Sequence, residues 1–219
     1  MNSLVQLLVL AGIAVFLILR LRSVLGSRDG FEKPPVPRQD GPSRIGRPEF
    51  DVIEGGPDRD ITDHVEDGSD SAKALAAMKM AEPGFGVSEF LEGARGAYEM
   101  ILMAFEKGDL SDVRGFLSED VAETFDEVIK QREEQGLTVE ANFVGIRETA
   151  LKSAEFNRGT SEGEVSVKFV AEITSVVRNS DGEIVEGKEN EIKRQRDVWT
   201  FARKMGADDP NWQLVATGE

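Results

Sequence analysis

Apart from its many carboxylates, this chain has few side chains that move protons or hold metals. His64 is the only histidine, Tyr98 the only tyrosine, and there is no cysteine. Without thiols, the chain has no disulfides, thiolate nucleophiles, iron–sulfur clusters or cysteine zinc sites, which fits a reducing compartment. His64 stands beside Asp60 and Asp63, an imidazole and two carboxylates of the types that ligate cations. A metal site needs several preorganised ligands, and these three fall in a stretch that reads as an unfolded tether. Tyr98 becomes an acid or base only where burial or a neighbouring charge tunes it, and no inward-facing carboxylate is evident. There is no phosphate-cradling glycine loop, nucleophile elbow or calcium-loop spacing. Glu133-Glu134 and Asp208-Asp209 read as solvated charge. No catalytic residue, metal ligand or cofactor is assigned, so the chain is read as a binding protein and not an enzyme.

The elements that must position a binding surface begin with an apolar stretch. Leu4 to Leu19 contains one polar side chain, Gln6, and is followed by Arg20, Arg22 and Arg28 before the first acidic residue, Asp29. A helix over 4–21 is ~27 Å long at ~1.5 Å per residue, near the ~30 Å hydrocarbon thickness. Leu4, Leu8, Ile13, Phe16 and Leu19 form its lipid-facing anchor, and the arginines snorkel to headgroups. A cleavable signal peptide is the rival reading, but it places basic residues before the apolar stretch and small ones after. Here the order is reversed. The spacing therefore predicts an uncleaved single-pass anchor over 1–22, in contact with the bilayer. Arg20, Arg22 and Arg28 set its topology, leaving the C-terminal side in the cytoplasm or an equivalent compartment.

Six of the eight prolines, Pro34, Pro35, Pro37, Pro42, Pro48 and Pro57, lie in the next stretch. It has no helical or strand period, so 23–66 is expected to be a disordered linker. The net charge of −15 repels polyanions and argues against a nucleic-acid partner.

A domain is expected over 67–219. Asp70 or Ser71 is read as the cap of a first helix carrying Leu75 and Met78, which ends before Pro83-Gly84. Ser88 is read as the cap of a second, with Phe90, Leu91, Ala94, Ala97, Tyr98, Ile101, Leu102 and Phe105 at spacings of three and four. Ala94 and Ala97 are expected to let this helix lie close to the sheet. Gly108 suits a left-handed helix end, and Ser118 opens another helix closed by Gly136. From Thr138 the period changes to two. Val165, Val167, Phe169, Ala171 and Ile173 alternate cleanly, Asp181-Gly182 marks a hairpin, and strands return through Val198 to Phe201 and Trp212 to Thr217. Helices followed by a curved antiparallel sheet make an α+β layer arrangement.

The run Phe90-Leu-Glu-Gly-Ala-Arg-Gly-Ala-Tyr98, then Ile101, Ala104-Phe105-Glu-Lys-Gly-Asp109, Leu117-Ser118 and Phe125, resembles the C-terminal domain of the mitochondrial inner-membrane translocase adaptor, the Tim-forty-four family. The ending Asp197-Val-Trp199-Thr-Phe201 and Pro210-Asn-Trp212-Gln-Leu214 agrees. Anchor, tether and terminal domain together are similar to a bacterial membrane-anchored relative of that family. The resemblance implies an open, cone-shaped sheet of the nuclear-transport-factor-two-like class with an apolar pocket. It also implies an adaptor at the inner membrane that binds translocase or chaperone components. This chain's spanning segment and short tether depart from the mitochondrial layout. If the pocket exists, Phe90, Tyr98, Phe169 and Trp199 are its expected lining. Protein binding is the leading reading. The alternative is a pocket protein of the same fold that takes a lipid or other apolar ligand.

Overall fold

In the computed structural model, residues 58–218 are described. The anchor residues Leu4, Leu8, Ile13, Phe16 and Leu19, the topology residues Arg20, Arg22 and Arg28, and the tether up to Pro57 lie outside the described residues. Among the described residues no helix is long and apolar enough to cross a membrane.

Helix formation starts earlier than expected. A short helix α1 (Arg59–Thr62) occupies the last part of the stretch read as tether. Asp58 caps it through the Asp60 N–H, His64 and Val65 donate back to Ile61, and Ile61 is buried. The linker expected to run to Glu66 therefore ends before Asp58. What local sequence could not reveal is that one buried isoleucine and two carboxylates bind this segment to distant helices.

Helix α2 (Asp70–Ala81) is capped by Ser69, whose hydroxyl accepts from the Ala72 N–H, rather than by Asp70 or Ser71. The Ser71 hydroxyl instead accepts the Ala154 N–H at 3.1 Å and ties α2 to the sheet. Helix α3 (Val87–Lys107) begins after Gly86, which offers no side-chain cap. Its free N–H groups at Val87 and Ser88 donate to Asp60 at 2.7 and 2.9 Å, so the cap comes from α1 and not from Ser88. At the other end Gly108 takes φ 76°, the left-handed conformation that closes a helix. A 3₁₀ turn (Arg114–Phe116) leads to α4 (Glu119–Glu134), which Ser118 caps as expected.

Four strands follow: β1 (Thr138–Asn157), β2 (Glu162–Arg178), β3 (Ile184–Lys204) and β4 (Gln213–Gly218). They pair antiparallel in the order β1-β2-β3-β4. Three register shifts interrupt β1 against β2. Each shift inserts a residue and bends the strand, which accounts for the imperfect alternation of this stretch. The odd residues of β2 from Val165 to Ile173 face the helices and join Leu75, Met78, Tyr98, Trp199 and Phe201 in one core. The even residues form an outer face that no helix among the described residues covers. This is the helices-on-sheet α+β arrangement that the period change predicts.

Candidate functional site

The four residues expected to line a pocket do not line one cavity. Tyr98, Phe169 and Trp199 are buried in the core. The Tyr98 ring stacks on Phe169 at 4.4 Å and lies 4.6 Å from Trp199. They fill the space between α3 and the sheet. Tyr98 also finds the polar partner a buried phenol requires: its hydroxyl donates to Asp197 Oδ2 at 2.5 Å. Asp197 sits opposite Phe169 across the β2–β3 pairing, so it turns toward the helices, and its other oxygen accepts from Gln195 Nε2 at 3.2 Å. This is an inward-facing carboxylate that the sequence does not disclose. Burial, the hydrogen bond to Asp197 and that carboxylate's charge together push the Tyr98 phenol well above its ordinary pKa. Tyr98 is thereby fixed as a neutral donor.

Only Phe90 of the four opens onto a cavity, a groove of about 360 Å³ lined also by Phe85, Trp212, Phe116, Ala97 and Arg203. Its making can be followed residue by residue. Pro83-Gly84 stops α2, and the short turn after it carries Phe85. On α3, Phe90, Gly93, Ala94 and Ala97 fall on one stripe at spacings of three and four. The small side chains keep the wall beyond Phe90 low and leave space that larger residues would fill. Opposite, β3 supplies Phe201 and Arg203, and the turn into β4 brings Trp212 across. The aromatic rings touch in sequence: Phe90–Trp212 at 4.6 Å, Phe85–Trp212 at 5.8 Å and Phe90–Phe201 at 6.1 Å.

The back wall is polar and rigid. The Arg203 side chain is 7% exposed, and its guanidinium donates to Glu82 Oε1 at 2.6 Å and to the Pro210 carbonyl at 3.2 Å. It also lies 5.3 Å over the Trp212 ring, a cation–π contact. Glu82 accepts a second bond from the Gly206 N–H at 2.8 Å. The Arg203 bond, then that backbone bond, hold the Glu82 carboxyl below its ordinary value despite burial. This pair fixes the β3–β4 turn, and with it Trp212, against the end of α2. Since Glu82 and Arg203 are 121 residues apart, local spacing carries no trace of the pairing. Trp212 is read in the sequence as part of a strand and Phe85 carries no local signal; the fold shows that both face a groove while Trp199 faces the core.

Of the cation-ligand set weighed at Asp60, Asp63 and His64, Asp60 and His64 are otherwise engaged. Asp60 caps α3 and meets Lys79 Nζ at 2.8 Å, and His64 Nε2 shares a 3.1 Å hydrogen bond with the Ser88 hydroxyl. Among the described residues no group of three or more His, Cys, Asp or Glu side chains is arranged to hold a metal ion. The groove can take an apolar side chain or ligand segment against aromatic rings, with one neutralised ion pair behind it and Glu89 at its edge.

Comparison with known proteins places this arrangement. The sequence model of the family described as the Tim44-like domain matches residues 71–219. Among solved structures, the intermembrane space region of the chloroplast protein ARC6 is similar at 11% sequence identity and a TM-score of 0.35, covering 57% of this chain and 94% of that one. Among curated proteins none matches this chain.

Proposed function

Since this chain belongs to the Tim44-like domain family, we propose that it is a membrane-tethered adaptor whose folded domain holds other proteins through the Phe90–Trp212 groove. The family supports a protein-binding role in membrane-associated processes. The single observation that carries the groove's part is its aromatic lining beside a pre-formed ion pair. Such a groove buries a partner's leucine or phenylalanine without rearrangement. About 100 Å² of apolar surface removed from water is worth ~2.5 kcal/mol at ~25 cal/mol per Å², the size of an interface hot spot. In this reading residues 1–22 span the inner membrane, with Leu4, Leu8, Ile13, Phe16 and Leu19 in lipid and Arg20, Arg22 and Arg28 on the cytoplasmic side. Residues 23–57 give a reach of roughly 30–35 Å. The partner is a component of protein translocation or envelope assembly.

Site-specific photo-crosslinking in native membranes tests this. A photoreactive side chain at Glu89, on the groove edge, is expected to capture a protein, whereas one at Lys130 on α4 is not. Capture should fall when Trp212 is replaced by alanine. An extractable small apolar molecule at Glu89 in place of a protein would move the function to ligand binding. Protease accessibility of the domain in vesicles of known orientation tests the topology, and reversing Arg20, Arg22 and Arg28 to glutamate should disturb it.

A further inference from the structure

We propose that the Phe90–Trp212 groove recognises an extended, proline-rich segment of a partner protein with a lysine or arginine beside its prolines. This rests on the adaptor reading and deepens it, by naming the chemistry that the partner presents to the same groove.

The rings are set to receive a flat guest. Trp212 is tilted 58° from Phe90 and 40° from Phe85, so their faces open as wedges instead of closing on one another. A wedge between aromatic faces suits a pyrrolidine ring. Proline's backbone is already held extended in the free chain, so a proline segment loses little entropy on docking against aromatic rings.

The length agrees. Lining residues on α3 run from Gly86 to Ala97, about 16 Å at ~1.5 Å per residue. Phe90, at the aromatic end, and Ala97 are about 10 Å apart on that scale. A polyproline helix rises ~3.1 Å per residue with three residues per turn, so positions i and i+3 fall ~9 Å apart on one side. Two such positions reach both ends. Between them lies Gly93, where an added β-carbon would meet nothing within 4 Å, which leaves room for the segment's backbone.

Charge selects the flank. Arg203, the one cation among the described lining residues, is neutralised by Glu82 at 2.6 Å. Glu89 stands at the edge. Asp209 is held there too, because the lining residue Asn211 donates its N–H to it at 2.9 Å, and Asp208 adjoins it. None of these three carboxylates has an ion-pair partner among the described residues. The mouth is therefore anionic, and its complement is a basic residue beside the prolines. An anionic apolar ligand meets the opposite sign.

The sequence itself supplies a probe of this chemistry, Lys33-Pro-Pro-Val-Pro-Arg38, which lies outside the described residues. A fluorescein-labelled peptide of residues 31–40 is titrated with the full chain in mild detergent and followed by anisotropy. Saturable binding is expected. Gly93→Leu fills the groove at an open helical position, and should weaken binding ~10-fold or more while improving helix propensity. Glu89→Lys should weaken it several-fold, as should glutamate in place of Lys33 and Arg38 in the peptide. Alanine in place of the three peptide prolines should abolish it. Absent binding overturns the proposal, as does equal binding of the alanine peptide, or of a Gly93→Leu chain with wild-type circular dichroism. Binding seen only after Pro34, Pro35 and Pro37 of the full chain are replaced by alanine gives the groove to the protein's own stretch and overturns the assignment to a partner. If the peptide fails while a photoreactive side chain at Glu89 still captures a protein, only the proline assignment falls. If both fail, the adaptor reading of the groove falls with it.

Discussion

Asp60 joins segments 27 residues apart, and its charge matters more than its shape. Burial alone would raise its pKa, but hydrogen bonds from Lys79, Ser88 and Val87 outweigh that and hold the carboxyl far below the ordinary aspartate value. A group depressed in the folded state gives stability that is complete above its unfolded pKa of ~3.9 and is lost as pH falls toward the folded value. Asp60→Ala should cost about 1–2 kcal/mol at pH 7, the worth of a helix cap. Asp60→Asn should flatten the loss of stability below about pH 5, read by urea unfolding at pH 7 and pH 3; an unchanged acid slope would remove Asp60 from this role. Tyr98 carries the opposite sign. Its phenol is raised by burial, then by Asp197, so its contribution is intact below the unfolded pKa of ~10 and is lost as pH climbs through the folded value. As the sole tyrosine it can be followed by tyrosinate absorbance alone, and ionisation is expected only together with alkaline unfolding. Asp197→Asn should bring that ionisation to lower pH. Tyr98→Phe leaves a carboxylate short of a donor and should cost about 1–3 kcal/mol.

Among the elements, the helices and the central strand are legible in sequence because each buries one face. The three-and-four stripe of α3 and the alternation from Val165 to Ile173 follow from burial against a single neighbour, and the left-handed Gly108 follows from its missing β-carbon. Caps are less legible. Ser69, Asp70 and Ser71 are nearly equivalent locally, and the contact to Ala154 decides which hydroxyl is free to cap. The α3 cap on Asp60 has no local signature at all. The groove fails for a related reason: aromatic residues announce burial, not the side on which space is left. The informative signal is Ala94 and Ala97, small residues read as closeness to the sheet, which together with Gly93 leave an opening beside Phe90. β3 holds the least legible feature. Between Ile192↔Thr174 and Gly187↔Val176 its register against β2 slips, and Gly187 takes φ 81° with its backbone pressed on the Ser175 carbonyl. A β-carbon there would overlap that oxygen. Gly187→Ala should therefore cost about 2 kcal/mol or more and loosen the far end of the β2–β3 hairpin. Amide exchange at Val176 and Val177 would report it, and wild-type protection there would contradict it.

At the scale of the molecule, the question is where the folded unit begins. Composition puts the boundary at Asp67, and the family match starts later, at residue 71. The structure puts it at or before Asp58, because α1 is bound on three sides. Asp58 meets Lys79 at 2.7 Å, Asp60 holds the α3 N-terminus, and Ile61, 5% exposed, joins the core. Deleting 58–66 removes one buried isoleucine, worth about 1.5–3 kcal/mol, and one cap, worth about 0.5–2 kcal/mol. The net loss expected is about 2–3 kcal/mol, the upper part of the range for removing one buried anchor or cap. For a domain of this size that is a fall in Tm of roughly 5–10 °C. A chain beginning at Asp67 should still fold, since the sheet and the Tyr98 core are intact, but melt that much below one beginning at Asp58. Asp60→Ala with Ile61→Ala in the longer chain should reproduce most of the difference. Equal melting of the two chains would mean that α1 rests on the domain without supporting it. The tether would then reach nine residues further, and the domain's stability would be independent of the segment that links it to the chain's N-terminal part.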